Sequence, residues 1–452
     1  MPNVETHPPT GALTASSQSH SATDESCGGV ARDRLVTALL DQFFVSGTSF
    51  LSTIVVGRYC GIEGLGLFSL AVSAIVLVRG IQETLVSAPF TVFQERLRDR
   101  MTSQEHAGGA LAGAMILAAI TVILTSWLAL GLAVTGQPLG IRVLAYALIA
   151  CAPLALLREF SRRFCMARRN MIGALRIDAS VCLLQLGCLL ALAWQGRLTS
   201  VAALWVIGLS SGVVSLAWWY GQRKQFVLHR TTIRTVLHHD WRFGRWLLMD
   251  QLVCFMQLYA MHWILAGMIG ASGTGAFAAC ATIAALASPL LQGVGNYLSP
   301  QFANAAFRGS RAEVVSLYRK TTASLAIAVT LFAALAGWFG REILSLLYSD
   351  SAYDAYGPVV GVLAFRTVFA IPALAAHHAV VAMERPGRSA AATAIGLVAT
   401  LCIALPLIQH YGVLGAAVAV FIGTGVECLV LVTIFTRLLG QWNWSDESSE
   451  KT

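Results

Sequence analysis

The chain has 452 residues, of which 56% are hydrophobic and 12% charged, and its mean hydropathy is +0.67. That composition excludes a water-soluble globular protein, and little sequence is left for a soluble domain once roughly 20 residues are assigned to each bilayer span. The net charge of +8 would suit a nucleic-acid surface, but the basic residues cluster at the ends of apolar stretches, where they read as topology signals in contact with anionic lipid.

Residues 1–30 are rich in Ser, Thr, His and Pro and contain no apolar stretch, so they form neither a signal peptide nor a packed element. Residues 1–33 are expected to be a disordered cytoplasmic tail. Six apolar spans follow, at 35–56, 64–93, 109–134, 141–160, 174–194 and 201–220. Next comes the longest connection, carrying Arg223, Lys224, Arg230, Arg234, Arg242 and Arg245. Residues 223–244 read as a cytoplasmic linker between two bundles, 34–222 and 245–438. The second bundle holds spans at 246–269, 275–298, 321–347, 357–383, 389–408 and 413–435, and residues 439–452 form a second tail. The fold class is therefore an all-α membrane protein of about twelve transmembrane helices in two six-helix bundles.

Lys and Arg divide unevenly between the two sides. Of 31, 25 fall in the tails and the even-numbered connections, only Arg58, Arg142, Arg197 and Arg341 in the odd-numbered ones, and Arg79 and Arg366 within spans. The positive-inside rule puts both termini in the cytoplasm and makes the chain a multi-pass protein of the bacterial inner membrane.

An internal repeat supports the division into halves. A shift of 209 positions sets Asp41-Gln42 on Asp250-Gln251, and Gly61, Gly64, Gly66 and Phe68 on Gly270, Gly273, Gly275 and Phe277. A looser match sets Pro153 on Pro372. Six spans per half means that both halves enter the membrane from the same side. Such parallel repeats are related by an axis along the membrane normal, with a substrate path between them.

Function then rests on the polar residues inside the spans. Asp41, Gln42, Ser46, Thr48, Ser49, Ser52 and Thr53 share one half of the first span's wheel. A water-filled cavity is expected there, with helix packing through small hydroxylic residues as the bland alternative. Arg79 lies near the middle of the second span, where an arginine costs about 2.5–3.5 kcal/mol on insertion scales. Glu83, four residues on, is its nearest partner in sequence; the pair is either self-neutralised or opened by an anionic substrate. Arg366 in the tenth span has no acid within one turn, while His377 lies on the same face eleven residues on. A lone central arginine calls for a partner on another helix or an anionic ligand. Substrate contact is thus expected of Arg79, Arg366, Glu83, Ser52, Thr53 and His377. Asp41 and Asp250 read first as helix-N-terminal acids favoured by the macrodipole. With His262 and Glu427 they are also the candidates for ion coupling.

Nothing speaks for catalysis, a cofactor or a metal. The ten cysteines show no CxxC spacing, and the adjacent pairs His238-His239 and His377-His378 point about 100° apart on a helix. The Gly-rich segments follow short outer connections rather than strands, so they are not phosphate-cradling loops.

Residues 50–77, FLSTIVVGRYCGIEGLGLFSLAVSAIVL, resemble the opening signature of bacterial polysaccharide flippases. The stretches RRFCMARRN (162–170), AMERPGRSAAATA (382–394) and YGVLGAAVAVFIGTGVE (411–427) resemble later parts of the same O-antigen and lipid-linked oligosaccharide flippase family. That family belongs to the superfamily of multidrug, oligosaccharidyl-lipid and polysaccharide exporters. The resemblance implies two six-helix bundles in a V and a substrate of undecaprenyl-pyrophosphate-linked oligosaccharide. It implies movement to the periplasmic leaflet through a cationic lumen, to which Arg79 and Arg366 are suited. A proton or sodium ion is the coupling ion to expect, and membrane lipids and glycan-assembly machinery are the expected partners, with no nucleic acid. The alternatives are a cation-coupled multidrug extruder, disfavoured by two central arginines, and a membrane-embedded glycan polymerase or ligase. The latter would need a larger outer connection than residues 341–356.

Overall fold

The computed structural model describes residues 18–93 and 102–441. Among them ten continuous helical stretches are long and apolar enough to cross a membrane. The longest two, Leu40–Phe93 and Pro386–Gln441, have 54 and 56 residues. As straight rods they would measure about 80 Å, far more than the ~30 Å hydrocarbon core. Each breaks at a glycine, Gly61 (φ 69°) and Gly412 (φ 59°), in the left-handed region that glycine enters without steric cost.

Twelve membrane helices result. The first lobe consists of α1 (18–60), α2 (62–93), α3 (Ser103–Val134), α4 (Leu139–Ala167), α5 (Met171–Trp194) and α6 (Ser200–Gln222). The second consists of α7 (Arg230–Met268), α8 (Ala271–Phe307), α9 (Arg311–Trp338), α10 (Gly357–Ala382), α11 (386–411) and α12 (413–441). Side chains cap several starts. In α3, Thr102 Oγ1 accepts from the Glu105 amide at 3.2 Å while Glu105 Oε2 accepts from the Thr102 amide at 2.9 Å. Asn170 and Thr199 cap α5 and α6 in the same way.

Two sequence boundaries need correction. Helix α1 begins at Gln18, so residues 18–33, expected to be disordered, are helical; residues 1–17 and 442–452 lie outside the described residues. The expected linker 223–244 is mostly helix as well: a 3₁₀ turn at Arg223–Gln225 is followed by α7, which runs unbroken from Arg230 into the membrane. Its buried face, with Val236, Asp240 and Gly244, packs on the first lobe, and the arginines of the opposite face hid that periodicity.

The repeat is visible in backbone geometry. Gly61 and Gly270 share one conformation (φ 69°, ψ −178° and φ 97°, ψ −170°), and a Cβ on Gly64 or Gly273 would clash with the residue four before it, Cys60 or Ile269. Gly66 and Gly275 face each other directly. A Cβ on Gly66 would lie 1.8 Å from the Ala271 carbonyl oxygen, and one on Gly275 would lie 1.8 Å from that of Ile62. Helices α2 and α8 thus cross in backbone contact, through equivalent residues.

That crossing belongs to a seal at the outer end, the side of the odd-numbered connections. One apolar core joins both lobes there, combining Val56, Leu65 and Phe68 with Leu265, Phe277 and Ala416. The outer connection of the second lobe, helix Gly340–Tyr348 and the 3₁₀ turn Ser351–Tyr356, adds a plug. Tyr348 and Tyr353 stack at 4.7 Å, both fully buried, and the Tyr353 hydroxyl donates to the Gly57 carbonyl at 3.2 Å. The remaining apolar cores each lie within one lobe. The lobes are therefore sealed by side-chain packing at the outer end.

Candidate functional site

Inward of the seal the first lobe holds eight charged side chains in contact. Arg79 on α2 hydrogen-bonds Glu159 on α4 through Nε (3.0 Å) and Nη2. Arg163 Nε donates to Glu159 Oε1 at 2.9 Å and lies 2.9 Å from Glu83 Oε2. Arg162 Nε donates to Asp178 at 2.6 Å, and its Nη2 donates to Asp41 at 2.8 Å. Arg158 completes the set with a 2.7 Å bond to Asp178. Four guanidinia meet four carboxylates, so the cluster is neutral when all are ionised. That balance makes burial tolerable, since an unpaired charge there would carry a desolvation cost of several kcal/mol.

Exposure divides the cluster into floor and rim. Side chains of Asp178, Glu159, Asp41, Arg162 and Arg158 are 0–12% exposed, whereas Glu83, Arg79 and Arg163 are 30–36% exposed. The rim borders the second lobe. The Gln251 side chain of α7 lies against Gly80, 2.6 Å from where a Cβ would stand, and Tyr259 is within electrostatic range of Arg79.

This arrangement corrects several expectations. The partner of Arg79 is Glu159 rather than Glu83. The α-helix of α2 changes to a π turn at Glu83–Ser87, and Gln82 donates to the Leu156 carbonyl at 3.0 Å, drawing α4 alongside. Asp41 and Asp250 cap nothing, because each lies some twenty residues inside its helix. Asp41 is held by Arg162, while Asp250 is exposed. The polar arc of α1 is split. Ser52 is buried and accepts from Gln185 Nε2 at 2.8 Å, so it packs against α5 instead of facing water, whereas Thr53 is half-buried and bonds back to the Ser49 carbonyl. Arg158, Glu159, Arg162, Arg163, Asp178 and Gln185 were not singled out by sequence. The available signal was the i, i+4 spacing of Arg158, Arg162 and of Glu159, Arg163, beside an aspartate near the start of the fifth span.

The second lobe carries a sparser constellation. Glu427 on α12 accepts from Thr393 of α11 at 2.9 Å and from Gln257 of α7, tying three helices together. Arg366 on α10 is half-buried and, among the described residues, makes no hydrogen bond and no ion pair; Glu427 is the acid within electrostatic range. His377 Nδ1 lies 2.7 Å from Ser389 Oγ, and both Asp250 and Glu427 act on it electrostatically. His262 stands apart. It is buried in the outer seal edge-on to Phe277 at 5.2 Å, with its carbonyl accepting from Thr274 at 3.1 Å. No group of three or more His, Cys, Asp or Glu among the described residues has the geometry of a metal site.

No protein-family profile matches the chain, and no curated protein matches it. Solved structures do. An inward-facing multidrug resistance MATE family transporter of the MOP superfamily superposes with a TM-score of 0.75 at 14% identity, over 90% of this chain and 98% of that one. An outward-facing structure described in the same words gives 0.62 at 16% identity, over 90% and 94%. A MOP superfamily transporter from Pyrococcus furiosus Vc1, described as having a binding pocket of reverse polarity, gives 0.63 at 16% identity, over 91% and 95%. Of these, the inward-facing structure superposes with the highest score. The chain is a multi-pass membrane protein with the all-α, two-lobed fold of MATE transporters.

Proposed function

We propose that the chain is a secondary transporter that moves an anionic, lipid-linked oligosaccharide across the inner membrane by alternating access, with both termini in the cytoplasm. The observation that carries this reading is Arg366, half-buried in mid-span and without a hydrogen bond or ion pair among the described residues. A guanidinium at such depth is costly, and a phosphate oxygen pair offers it a bidentate, charge-assisted partner. The rim of the first lobe suits the same ligand. Arg163 meets both Glu83 and Glu159 through its Nε, and an incoming phosphate would compete there with the partly exposed Glu83 rather than with the buried Glu159. Arg79 stands beside it on the same Glu159. The sealed outer end supports loading from the inner side.

A cation-coupled multidrug extruder is the second reading, favoured by structural neighbours that are themselves multidrug transporters. Against it, each of the four acids in the first-lobe cluster is engaged by arginine. Glu427, held by Gln257 and Thr393, and the exposed Asp250 are the acids left among the ion-coupling candidates to serve a proton or sodium ion. A glycan polymerase or ligase is disfavoured by the size of the outer connections, and glycan-assembly machinery remains a partner to seek.

The test uses a deletion strain carrying Arg366→Ala or Arg366→Lys, reading the surface glycan together with lipid-linked intermediate in the inner leaflet. Alanine should abolish export and accumulate the intermediate while the protein still reaches the membrane, and lysine should restore part of it. Full export with alanine removes the residue from the site. Accumulation of a cationic drug without a glycan defect selects the second reading.

A further inference from the structure

We propose that the outward face of residues 230–246 on α7 is a docking surface for anionic phospholipid headgroups of the cytoplasmic leaflet. The segment is amphipathic in a sense unrelated to the substrate site. At about 100° per residue, Arg230, Arg234, Trp241, Arg242 and Arg245 fall within one ~120° arc, and all five are exposed. Trp246 follows at its edge, 70% exposed, with the Arg245 guanidinium 5.4 Å from its ring. None of the four arginines has an ion-pair partner among the described residues.

The opposite face is closed. Val236 packs on Gly109, where a Cβ would stand 2.8 Å from its side chain, and a Cβ on Gly244 would stand 2.5 Å from the Thr84 carbonyl. The basic face therefore has no route into the protein and must meet whatever lies outside.

Its depth identifies the occupant. Leu237 sits against Gly113 of α3, and within a turn of that glycine Met115 and Ile116 are 57% and 46% exposed, as lipid-facing residues are. Along the helix the arginines thus lie about 5–12 Å from the level of Leu237, comparable with the ~8 Å screening length at physiological ionic strength. Exposed tryptophans beside arginines at that level match the amphipathic headgroup zone. An acidic soluble protein would satisfy the charges but leave Trp241 and Trp246 without a purpose. Because α7 is clamped to the first lobe by one face and continues into the second, headgroups bound here touch a helix that contacts both lobes. The proposal rests on the orientation read from the Lys and Arg asymmetry and is independent of the transported substrate.

Native mass spectrometry and lipid titration of the full chain, with phosphatidylglycerol and phosphatidylcholine as probes, provide the test. Replacing Arg230, Arg234, Arg242 and Arg245 together by Gln should lower phosphatidylglycerol affinity at least tenfold, each arginine contributing up to about fivefold, and leave phosphatidylcholine unchanged. A control removing the same charge elsewhere, Arg311, Arg319, Lys320 and Arg388 to Gln, should cost less than threefold. A fourfold Lys variant of the α7 face, which keeps charge whether or not the Gln variant folds well, should bind as the parent does. Equal losses in the α7 and control sets would reduce the effect to net charge and overturn the proposal. So would undiminished binding by the Gln variant, loss of affinity in the Lys variant, or affinity insensitive to raising salt from 50 to 500 mM. Reporter fusions that invert the topology would remove the cytoplasmic leaflet from the proposal while leaving the in vitro affinities as the separate measure of the surface itself.

Discussion

Replacing Glu159 by Gln should be the most damaging single change in the first lobe. Its side chain is 4% exposed, accepts from Arg79 and Arg163, and lies 3.7 Å from Arg162. The amide keeps the shape but leaves three guanidinia with one carboxylate fewer in a low-dielectric site. Breaking a buried pair in this way costs about 3–5 kcal/mol. For a cooperative unit of 150–250 residues that corresponds to a drop in Tm of roughly 6–20 °C. Thermal unfolding of the purified protein in detergent, followed through the intrinsic tryptophans, reads it directly, and abundance in membranes should fall in parallel. Glu83→Gln is the internal comparison. That side chain is 30% exposed and pairs only at the rim with Arg163, so water screens it and the loss should stay within about 1 kcal/mol. Combining Glu159→Gln with Arg79→Gln should recover much of the lost Tm, because the double change removes charge in balance. Export should still fail in that double variant if Arg79 receives the anion. A Glu159→Gln protein that melts with the parent would refute the view that the cluster is held by charge balance, as would Glu83→Gln melting lower than Glu159→Gln.

Three further outcomes follow from the geometry. A cysteine at Ser52 should resist small thiol reagents, since the residue is 2% exposed and bonded to Gln185; rapid labelling would place water where helix packing is described. Tyr353→Phe removes the hydroxyl that bridges to Gly57, a net loss of about 1 kcal/mol; it should raise labelling from the outer side of a cysteine placed at Val56, and unchanged labelling would discount the tyrosine plug. Reporters fused after Arg169 and Lys224 should signal cytoplasm, and those after Gln137 and Asp350 periplasm, while consistent inversion would overturn the orientation.

What sequence could and could not disclose follows from the range of each interaction. Spans, their number and the repeat were legible because they depend on local hydropathy and on glycines whose backbone role repeats at a fixed shift, as at Gly61 and Gly270. The ion cluster was not, because its bonds join residues far apart: 80 positions from Arg79 to Glu159 and 121 from Asp41 to Arg162. Local spacing offered Glu83 as the partner of Arg79, and a π turn withdrew it. Arg162 and Arg163 were hidden differently. They sit at the inner end of α4, where a basic residue reads as a topology signal, and their inward direction depends on a helix extending to Ala167, past the expected end at 160. The two lobes also differ more than the repeat implies. The aspartate of the shared Asp-Gln dipeptide is locked to arginine in α1 and exposed in α7, so equivalent backbone positions have acquired unequal electrostatics.

Gly66 and Gly275 carry a consequence beyond the seal. Each is the other's counterpart in the repeat, and each presses by the same margin on the carbonyl of the first residue of the other's helix, Ile62 or Ala271. A contact in which a residue meets its own equivalent is what a twofold dimer has at its axis, and such an interface is self-complementary by construction. Two copies of either half, docked through this glycine, would reproduce the crossing of α2 and α8 without any new surface. The fused chain therefore retains the geometry of a two-subunit assembly, and its two halves, made as separate polypeptides, have at this crossing the complementary face needed to find each other in the membrane.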